Sequence, residues 1–276
     1  VLITGCSSGI GHCVAHGLKK RGYRVFATAR KPDDIERLIS EGLETYYLDY
    51  ADSDSIQTTA NTVLEQTNGK LYALFNNGAY GQPGAVEDLS REALTAQFDT
   101  NFFGWHELTR AVIPAMRQQK EGRIIQNSSV LGFAAMPYRG AYNASKFALE
   151  GLSDTLRLEL KGTGIQISLI EPGPITSRFR QNGYLMYQKY IDRQNRIHRA
   201  AYENMIRRLT TEGPVAPFTL PPEAVFEKVI LALESHLAKP RYYITKPTWF
   251  FAILKRFLST KQLDNILYKA GGGGKR

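Results

Sequence analysis

The hydrophobic residues of this chain alternate between short apolar runs and stretches with an apolar residue every three or four positions. Residues 1–4 form the first run, and Ile10, Val14 and Leu18 follow at helical spacing. Such a sequence predicts a β-strand followed by an amphipathic α-helix. Similar runs predict further strands at 24–28, 45–48, 71–75, 123–127, 165–170 and 241–245.

Helical patterns lie between these strands. Helices are predicted over 52–66, over 91–120, where Asn101 interrupts the apolar face, and from Tyr142 through Leu160. Alternating strands and helices predict a parallel sheet that is covered on both faces. The predicted fold class is α/β, a doubly wound parallel sheet of about seven strands with helices on both faces and a helical C-terminal extension. Residues 1–177 would form the core, and residues 178–276 would complete the same single domain.

Composition adds few constraints to this picture. The chain has 276 residues of which 43% are hydrophobic, enough to bury a large core. Cys6 and Cys13 are too few for a disulfide framework and lack zinc-site spacing, so a reducing cytoplasmic setting is expected. His12 and His16 are four residues apart without further ligands nearby in sequence, and no metal site is predicted. Because Val1 lies inside a predicted strand, we expect additional residues before it.

The net charge of +9 is unevenly distributed. Residues 178–276 carry 18 Lys and Arg against 7 Asp and Glu, whereas residues 1–177 carry 17 against 19. Such asymmetry can indicate nucleic acid or an anionic membrane. A solvated surface with an anionic ligand is favoured here, and no nucleic-acid partner is expected.

Residues 249–258 predict an apolar, aromatic helix that also carries basic residues. Such a helix could lie on a membrane surface. Covering the substrate pocket or forming a dimer contact is the favoured interpretation.

A glycine-rich turn joins the first strand to the first helix. Gly5, Gly9 and Gly11 would let the backbone approach a pyrophosphate at the helix N-terminus. Arg30 follows the second strand, where a basic side chain accommodates the 2′-phosphate of NADP(H). Asp49 ends the third strand, where it could either contact the adenine or cap the next helix.

Tyr142 and Lys146 are candidate acid–base residues because side chains four apart share one face of a helix. A neighbouring ammonium favours the phenolate and should lower the pKa of the phenol. Tyr242 and Lys246 have the same spacing, but they lie in a predicted strand and just before Pro247, which disfavours helix. In a strand, residues four apart are separated by about 13 Å. The first pair is therefore favoured.

With these motifs assembled, residues 1–177 strongly resemble the short-chain dehydrogenase/reductase family. The turn from Thr4 to Gly11 matches the cofactor turn of that family. Its catalytic tetrad is matched by Asn101, Ser129, Tyr142 and Lys146, including the 13-residue step from the serine to the tyrosine. Within the family, the chain looks most like bacterial NADP-dependent aldehyde reductases and related 17-beta-hydroxysteroid and retinol dehydrogenases.

The resemblance implies a Rossmann-type sheet and reversible hydride transfer between NADP(H) and an aldehyde, ketone or alcohol. Residues 1–177 would then be the dinucleotide-binding and catalytic core, and residues 178–276 the substrate loop and C-terminal extension. Ser129, rather than the adjacent Ser128, would bind the substrate oxygen, Tyr142 would donate the proton, Lys146 would hold the nicotinamide ribose, and Asn101 would anchor a water. The substrate would be a small molecule, possibly lipophilic, and the protein a homo-oligomer. The alternative is an NADP-binding redox sensor without catalysis. The implied cofactor contacts are Gly5, Ser7, Ser8, Gly9, Ile10, Gly11, Arg30, Asp49, Asn76, Gly78, Tyr142, Lys146, Pro172, Gly173, Ile175 and Ser177.

Three positions depart from the family pattern. Gly78-Ala79 stands where Ala-Gly is usual after the fourth strand. Ser8 replaces a basic residue that many NADP-preferring members have, so the expectation of NADP rests on Arg30. Ser177 replaces a usual threonine, and Thr176 beside it is an alternative contact for the nicotinamide.

Overall fold

The computed structural model describes residues 1–192 and 197–272, so the parts of the predicted extension at 193–196 and 273–276 lie outside the described residues. A sheet of seven strands forms its centre. The strands are β1 Leu2–Ile3, β2 Phe26–Ala29, β3 Glu44–Tyr47, β4 Ala73–Asn76, β5 Gly122–Asn127, β6 Ile165–Glu171 and β7 Arg241–Tyr243. Their spatial order is β3-β2-β1-β4-β5-β6-β7, and neighbouring strands all pair in parallel.

The helices over 53–66, 91–98, 104–119 and 140–159 lie where the periodicity predicts them, and helices also occupy 179–190 and 199–210 of the predicted substrate loop. The helices are α1 Gly9–Lys20, α2 Pro32–Ser40, α3 Ser53–Gln66, α4 Arg91–Phe98, α5 Gly104–Gln119, α6 Gly140–Glu159, α7 Phe179–Tyr190, α8 Arg199–Thr210, α9 Glu223–Glu234, α10 Lys246–Phe257 and α11 Thr260–Ala270. The predicted helix over 91–120 is interrupted, because a π-helical segment, Asp99–Phe103, joins α4 to α5. None of the helices in the described ranges has the length and apolarity to cross a membrane.

Two apolar clusters cover the two faces of the sheet. Leu2 packs in one cluster with Trp105 and Leu149, while its neighbour Ile3 packs in the other with Val14. Successive strand residues point to opposite faces, so a strand covered on both sides is apolar on both faces over most of its length. The predicted doubly wound fold is therefore confirmed.

The last third of the chain adds a strand and a helix to this core. β7 pairs with β6, and Val225 and Val229 of α9 are fully buried in the same cluster as Leu18 of α1. Residues beyond 177 thus complete the sheet and one of its covering layers.

Tyr242 and Lys246 do not share one helix face, as expected, but the reason is that they lie on two different elements. Tyr242 lies on β7, and its hydroxyl accepts a hydrogen bond from the N–H of Lys239 at 3.0 Å. Lys246 instead begins α10, with Pro247 in the first turn and its ammonium above the Phe218 ring. The expectation that Pro247 excludes helix at Lys246 is wrong, because proline in a first turn lacks only an N–H that has no helical partner.

Candidate active site

The predicted site residues follow five neighbouring strands of the sheet. Gly5 follows β1, Arg30 follows β2, Gly78 follows β4, Ser129 follows β5 and Pro172 follows β6. In a parallel sheet these carboxyl ends share one edge, which is where open α/β sheets bind ligands. The structure therefore brings the predicted turn, specificity residue and catalytic serine to the same edge.

The glycine turn has the backbone that a phosphate site requires. Gly5 and Gly9 adopt φ values of +65° and +58°, which side chains other than glycine rarely tolerate. Ser8 precedes α1 with an extended backbone, and its side chain does not cap the helix. The N–H groups of the first turn of α1, including that of Ile10, therefore point outward at the positive end of the helix dipole. This arrangement can bind an anion.

Three neighbouring contacts support the turn. Gly11 is buried and packs against the carbonyl oxygen of Gly5. The carbonyl of Ser7 accepts a hydrogen bond from Arg37 Nη2 at 2.7 Å, which joins the turn to α2. The N–H of Gly78 donates to Thr4 Oγ1 at 3.1 Å, so the loop after β4 is held directly against the turn.

The Asn76 side chain makes its hydrogen bonds inside the protein and does not face a ligand site. Its side chain is fully buried, accepts from the Tyr50 hydroxyl at 2.6 Å and donates to Thr109 and Gln126 at 3.0 Å each. Any contact between Asn76 and a cofactor would have to come from its backbone.

Arg30 and Asp49 face one another at the end of the sheet beside the turn. Arg30 Nη1 lies 3.6 Å from Asp49 Oδ2, and the Arg30 side chain is 60% exposed. Asp49 does not cap a helix, because Asp52 is the residue whose side chain accepts from the first N–H groups of α3. The exposed guanidinium remains accessible to an anionic ligand.

Asn101 lies in the π-helical segment between α4 and α5 and is completely buried. Its amide nitrogen donates to the Tyr80 carbonyl at 2.9 Å, and its amide oxygen accepts from the Tyr80 N–H at 3.2 Å. The amide nitrogen also lies 3.4 Å from Ser145 Oγ, next to Lys146 on α6. The wider π turn, a feature common at functional sites, places this amide beside α6.

Ser129 and Tyr142 meet at the end of β5. The Tyr142 hydroxyl is hydrogen-bonded to Ser129, whose Oγ also accepts from the N–H of Leu131 at 3.1 Å. The Oγ of the adjacent Ser128 is buried beside Gly132 and Glu150 and has no hydrogen-bond partner among the described residues. Ser129 is thus the serine that is hydrogen-bonded to the tyrosine.

Lys146 lies one helical turn beyond Tyr142 and is fully buried. Its ammonium donates to the Asn127 carbonyl at 2.8 Å and lies 3.9 Å from the centre of the Trp105 ring. The distance from Nζ to the centre of the Tyr142 ring is 5.9 Å. Burial lowers the pKa of Lys146 to about 7, although the nearby Glu150 carboxylate acts in the opposite direction.

The pKa of Tyr142 differs from the expectation based on the lysine alone. Burial raises the pKa of this phenol to about 12, and its hydrogen bond with Ser129 offsets only part of that rise. Phe179, at the start of α7, covers the ring edge-to-face with centroids 5.2 Å apart. Tyr142 is therefore protonated at neutral pH, the form that can donate a proton.

The segment after β6 folds back over the glycine turn. The Pro172 carbonyl accepts from the N–H of Val130 at 2.8 Å, and Ile175 forms a bridge to Leu220. A Cβ atom on Gly9 would lie 3.0 Å from Cβ of Ser177. Between the two alternatives, Ser177 thus contacts the turn, whereas the Thr176 N–H donates to Leu220.

Gly173 has no room for a side chain. A Cβ atom there would lie 2.1 Å from Thr245 Oγ1 and 3.1 Å from Thr248 Oγ1. Both threonines are fully buried and are hydrogen-bonded to each other at 3.0 Å. The backbone at Gly173 is therefore held against the start of α10.

A partly buried carboxylate cluster beneath the site could not be predicted from the sequence. The Arg241 guanidinium on β7 pairs with Glu150 at 3.0 Å, Asp154 at 2.7 Å and Glu171 at 3.0 Å. Burial and the neighbouring Glu150 raise the pKa of the inaccessible Glu171 to about 9. The only sequence signal was the helical spacing of Lys146, Glu150 and Asp154.

Glu41 lies between the side chains of His12 and His16, a contact that their spacing in the sequence did not predict. Their Nε2 atoms lie 2.8 and 2.7 Å from Glu41 Oε2, a grouping compact enough for a cation. Arg37 already binds the other oxygen of Glu41 at 2.5 Å. Burial opposes ionisation of this carboxyl, but hydrogen bonds from both histidines and Arg37 lower its pKa to about 2. The cluster acts as a hydrogen-bond network between α1 and the end of α2.

Comparisons with known proteins agree with this geometry. A glycine turn between a strand and a helix, at the carboxyl edge of a parallel sheet, is a feature of dinucleotide-binding folds. The family model for short chain dehydrogenases matches residues 1–187. The chain belongs to the short-chain dehydrogenase/reductase family, an oxidoreductase family that uses a nicotinamide dinucleotide and small-molecule substrates.

Two curated relatives illustrate the range of similarity. The uncharacterized oxidoreductase YbbO of Escherichia coli K12 is 44% identical over 267 residues, covering 97% of this chain and 93% of that protein. Human retinol dehydrogenase 8 is 41% identical over 187 residues, covering 65% of this chain and 60% of that protein.

Solved structures share the fold. A short-chain dehydrogenase from Streptomyces avermitilis has a TM-score of 0.76 at 25% identity, covering 100% of this chain and 97% of that one. A Burkholderia cenocepacia enzyme solved with NADP has a TM-score of 0.74 at 21% identity, covering 96% and 95%. A Burkholderia phymatum enzyme solved with NAD has a TM-score of 0.76 at 24% identity, covering 96% and 93%.

Proposed function

We propose that this protein reduces aldehydes or ketones to alcohols with NADPH, and catalyses the reverse oxidation with NADP+. The observation that carries this proposal is the grouping of Tyr142, Ser129 and Lys146 at the sheet edge that also holds the glycine turn. The turn fits a dinucleotide, because its backbone can approach a pyrophosphate and the first N–H groups of α1 face outward.

The catalytic residues have distinct roles in this reaction. The bound dinucleotide supplies a hydride to the carbonyl carbon. Ser129 donates a hydrogen bond to the carbonyl oxygen and orients it toward Tyr142. Tyr142 gives its phenolic proton to that oxygen, which completes the alcohol. The pKa of about 12 favours this protonated form before turnover.

Lys146 restores the proton donor. Its ammonium, 5.9 Å from the centre of the Tyr142 ring, stabilises the phenolate left after proton transfer and can bind a ribose hydroxyl. With a pKa near 7, the lysine can also pass a proton toward the tyrosine at neutral pH. Asn101, held on both sides of its amide by Tyr80, would anchor the water that reconnects Lys146 to solvent.

Arg30 supports the choice of NADP(H) over NAD(H). Its guanidinium is 60% exposed beside the glycine turn, and Asp49 is 3.6 Å away to orient it. A guanidinium binds the 2′-phosphate of NADP(H) with charge-assisted hydrogen bonds. Homo-oligomerisation, a cytoplasmic location and a single domain built from 1–177 and 178–276 stay predictions.

A lipophilic substrate is supported by two observations. Phe179 covers the ring of Tyr142 at 5.2 Å, so the approach to the catalytic hydroxyl is apolar. The similarity to human retinol dehydrogenase 8 extends over 187 residues, and its name indicates an apolar alcohol as substrate.

The alternative is a sensor that binds NADP(H) without turning it over. A binder needs the glycine turn and Arg30, but it does not need a buried lysine beside a serine-bonded phenol. The retained Tyr142–Ser129 hydrogen bond and the buried Lys146 therefore favour catalysis.

The proposal is tested by a screen of aldehydes and ketones with NADPH and with NADH. We expect turnover of apolar carbonyls with a clear preference for NADPH. Arg30→Glu should raise KM for NADPH by about 10- to 100-fold, since it removes charge-assisted hydrogen bonds, and should spare NADH. Arg91→Glu, at an exposed residue that begins α4, is the matched control. NADPH binding without turnover of any carbonyl would favour the sensor.

A further inference from the structure

α10 presents a row of large apolar side chains to solvent. Trp249, Phe250, Ile253 and Phe257 are 54%, 54%, 52% and 81% exposed. Trp249, Ile253 and Phe257 are each four residues apart and Phe250 adjoins them, so the four share one side of the helix. We call these four residues the α10 face. Adjoining apolar side chains with this exposure mark interaction sites on proteins.

The opposite side of α10 is anchored to the catalytic loop. Phe251 is buried in a cluster with Val130 and Ala134, directly after Ser129. The ammonium of Lys255 donates to the Phe133 carbonyl at 3.0 Å. Because the inner side of the helix makes these contacts, the α10 face points outward. Covering of the substrate pocket by this segment, one of the uses favoured from the sequence, stays a prediction.

The segment that carries the α10 face is strongly basic. Besides Lys255, which binds inward, Lys246, Arg256, Lys261 and Lys269 lie on α10 and α11, and Asp264 is the only acidic residue between positions 246 and 269. A second copy of this surface would bring like charges together, which disfavours pairing. An anionic lipid surface offers opposite charge together with an apolar boundary.

We propose that the α10 face docks on an anionic lipid bilayer, with α10 lying parallel to the surface and its four apolar side chains among the headgroups. Trp249 suits this position, because indole rings favour the interface between water and lipid. The docking itself does not depend on the proposed reaction. Because α10 packs on the loop after Ser129, docking would also bring the catalytic residues close to bilayer-borne carbonyl compounds.

Flotation of the full chain with lipid vesicles tests this proposal. One vesicle type is phosphatidylcholine alone, and the other contains phosphatidylserine in addition; each is used at low and high salt. We expect binding to the anionic vesicles to exceed binding to the neutral ones by about tenfold or more at low salt, and to weaken at high salt as the charges are screened.

Variants locate the binding on the α10 face. Phe250→Ser combined with Phe257→Ser should weaken vesicle binding by about tenfold or more, since it removes exposed apolar area. Arg256→Gln should weaken it by about fivefold, and only on anionic vesicles. Leu158→Ser, at a 69% exposed leucine of α6, is the matched control and should bind as the unaltered chain does.

Three results would overturn the proposal. They are failure of the unaltered chain to float with anionic vesicles, equal binding by the Phe250→Ser/Phe257→Ser variant, and conversion of that variant from dimer to monomer with vesicle binding intact. The last result, measured by light scattering, would assign the face to a second copy. Melting temperatures confirm that the variants are folded. Failure of the proposed reduction would appear in the carbonyl screen and would leave the flotation result standing.

Discussion

Replacing Lys146 with methionine should make the cofactor-free protein more stable below neutral pH. Lys146 is fully buried, and burial lowers its pKa from 10.5 to about 7. Methionine has a similar length but needs no solvation, so it fits beside Trp105 without a charge. The same substitution should abolish turnover, because the phenolate of Tyr142 loses its cationic neighbour.

The magnitude follows from the pKa of Lys146. At 1.36 kcal/mol per pKa unit, a fall from 10.5 to about 7 means that folding disfavours the ammonium by about 5 kcal/mol. The variant also loses the 2.8 Å bond to the Asn127 carbonyl, and a buried acceptor left unpaired costs about 1–3 kcal/mol. At pH 6 we therefore expect Lys146→Met to be more stable by about 2–4 kcal/mol.

The advantage of the variant should decrease as the pH rises. The unfolded lysine keeps its proton up to about pH 10.5, whereas the folded one releases it near pH 7. Between these values the unfolded state of the unaltered protein binds more protons, so its stability increases with pH. The variant lacks this gain, and its advantage should shrink by about 3 kcal/mol between pH 6 and pH 9.

Urea unfolding of both proteins at pH 6 and pH 9 measures these free energies. Lys161→Met, at an exposed lysine after α6, is the control and should change the free energy of unfolding by less than about 0.5 kcal/mol at both pH values. If Lys146→Met is destabilising at pH 6, or if its effect is the same at both pH values, then burying the Lys146 ammonium costs less free energy than we infer.

Two further substitutions test the contacts beneath the site. Arg241→Met should lower the free energy of unfolding by about 3–5 kcal/mol at pH 7, because it removes the cation that pairs with the buried Glu150 carboxyl. Arg24→Met, which breaks an exposed ion pair, should cost less than about 1 kcal/mol in the same urea assay, and equal losses would contradict the buried cluster. Gly173→Ala should cost about 1–3 kcal/mol and weaken NADPH binding measured by fluorescence, because its Cβ would meet Thr245 Oγ1. Adding Thr245→Ala should restore part of both losses. If Gly173→Ala alone has the stability and NADPH affinity of the unaltered protein, then the segment has room for a methyl group.

The sheet and its covering helices could be predicted from local patterns. Residues such as Leu2 and Ile3 are apolar at successive positions, and only a strand covered on both faces needs that. The Tyr142–Lys146 pair could also be predicted, because both residues lie on one helix and their spacing places the two side chains on the same face.

Contacts between residues distant in sequence were not predictable in this way. Arg241 reaches Glu171 only because β7 pairs with β6, and no local period encodes that pairing. The burial that raises the pKa of Tyr142 depends on Phe179 from α7, a segment without a strong period of its own. The apolar pattern predicts one continuous helix over 91–120. The π-helical segment around Asn101 interrupts that helix and shifts its register.

The central claim, that Tyr142 donates the proton in an NADPH-dependent carbonyl reduction, is tested most directly by Tyr142→Phe. The variant keeps the ring that packs against Phe179 and loses only the hydroxyl that bonds to Ser129. With a carbonyl substrate found in the screen, we predict that kcat falls by about 10²- to 10⁴-fold while NADPH affinity, measured by fluorescence, is unchanged. A kcat equal to that of the unaltered protein would contradict the account.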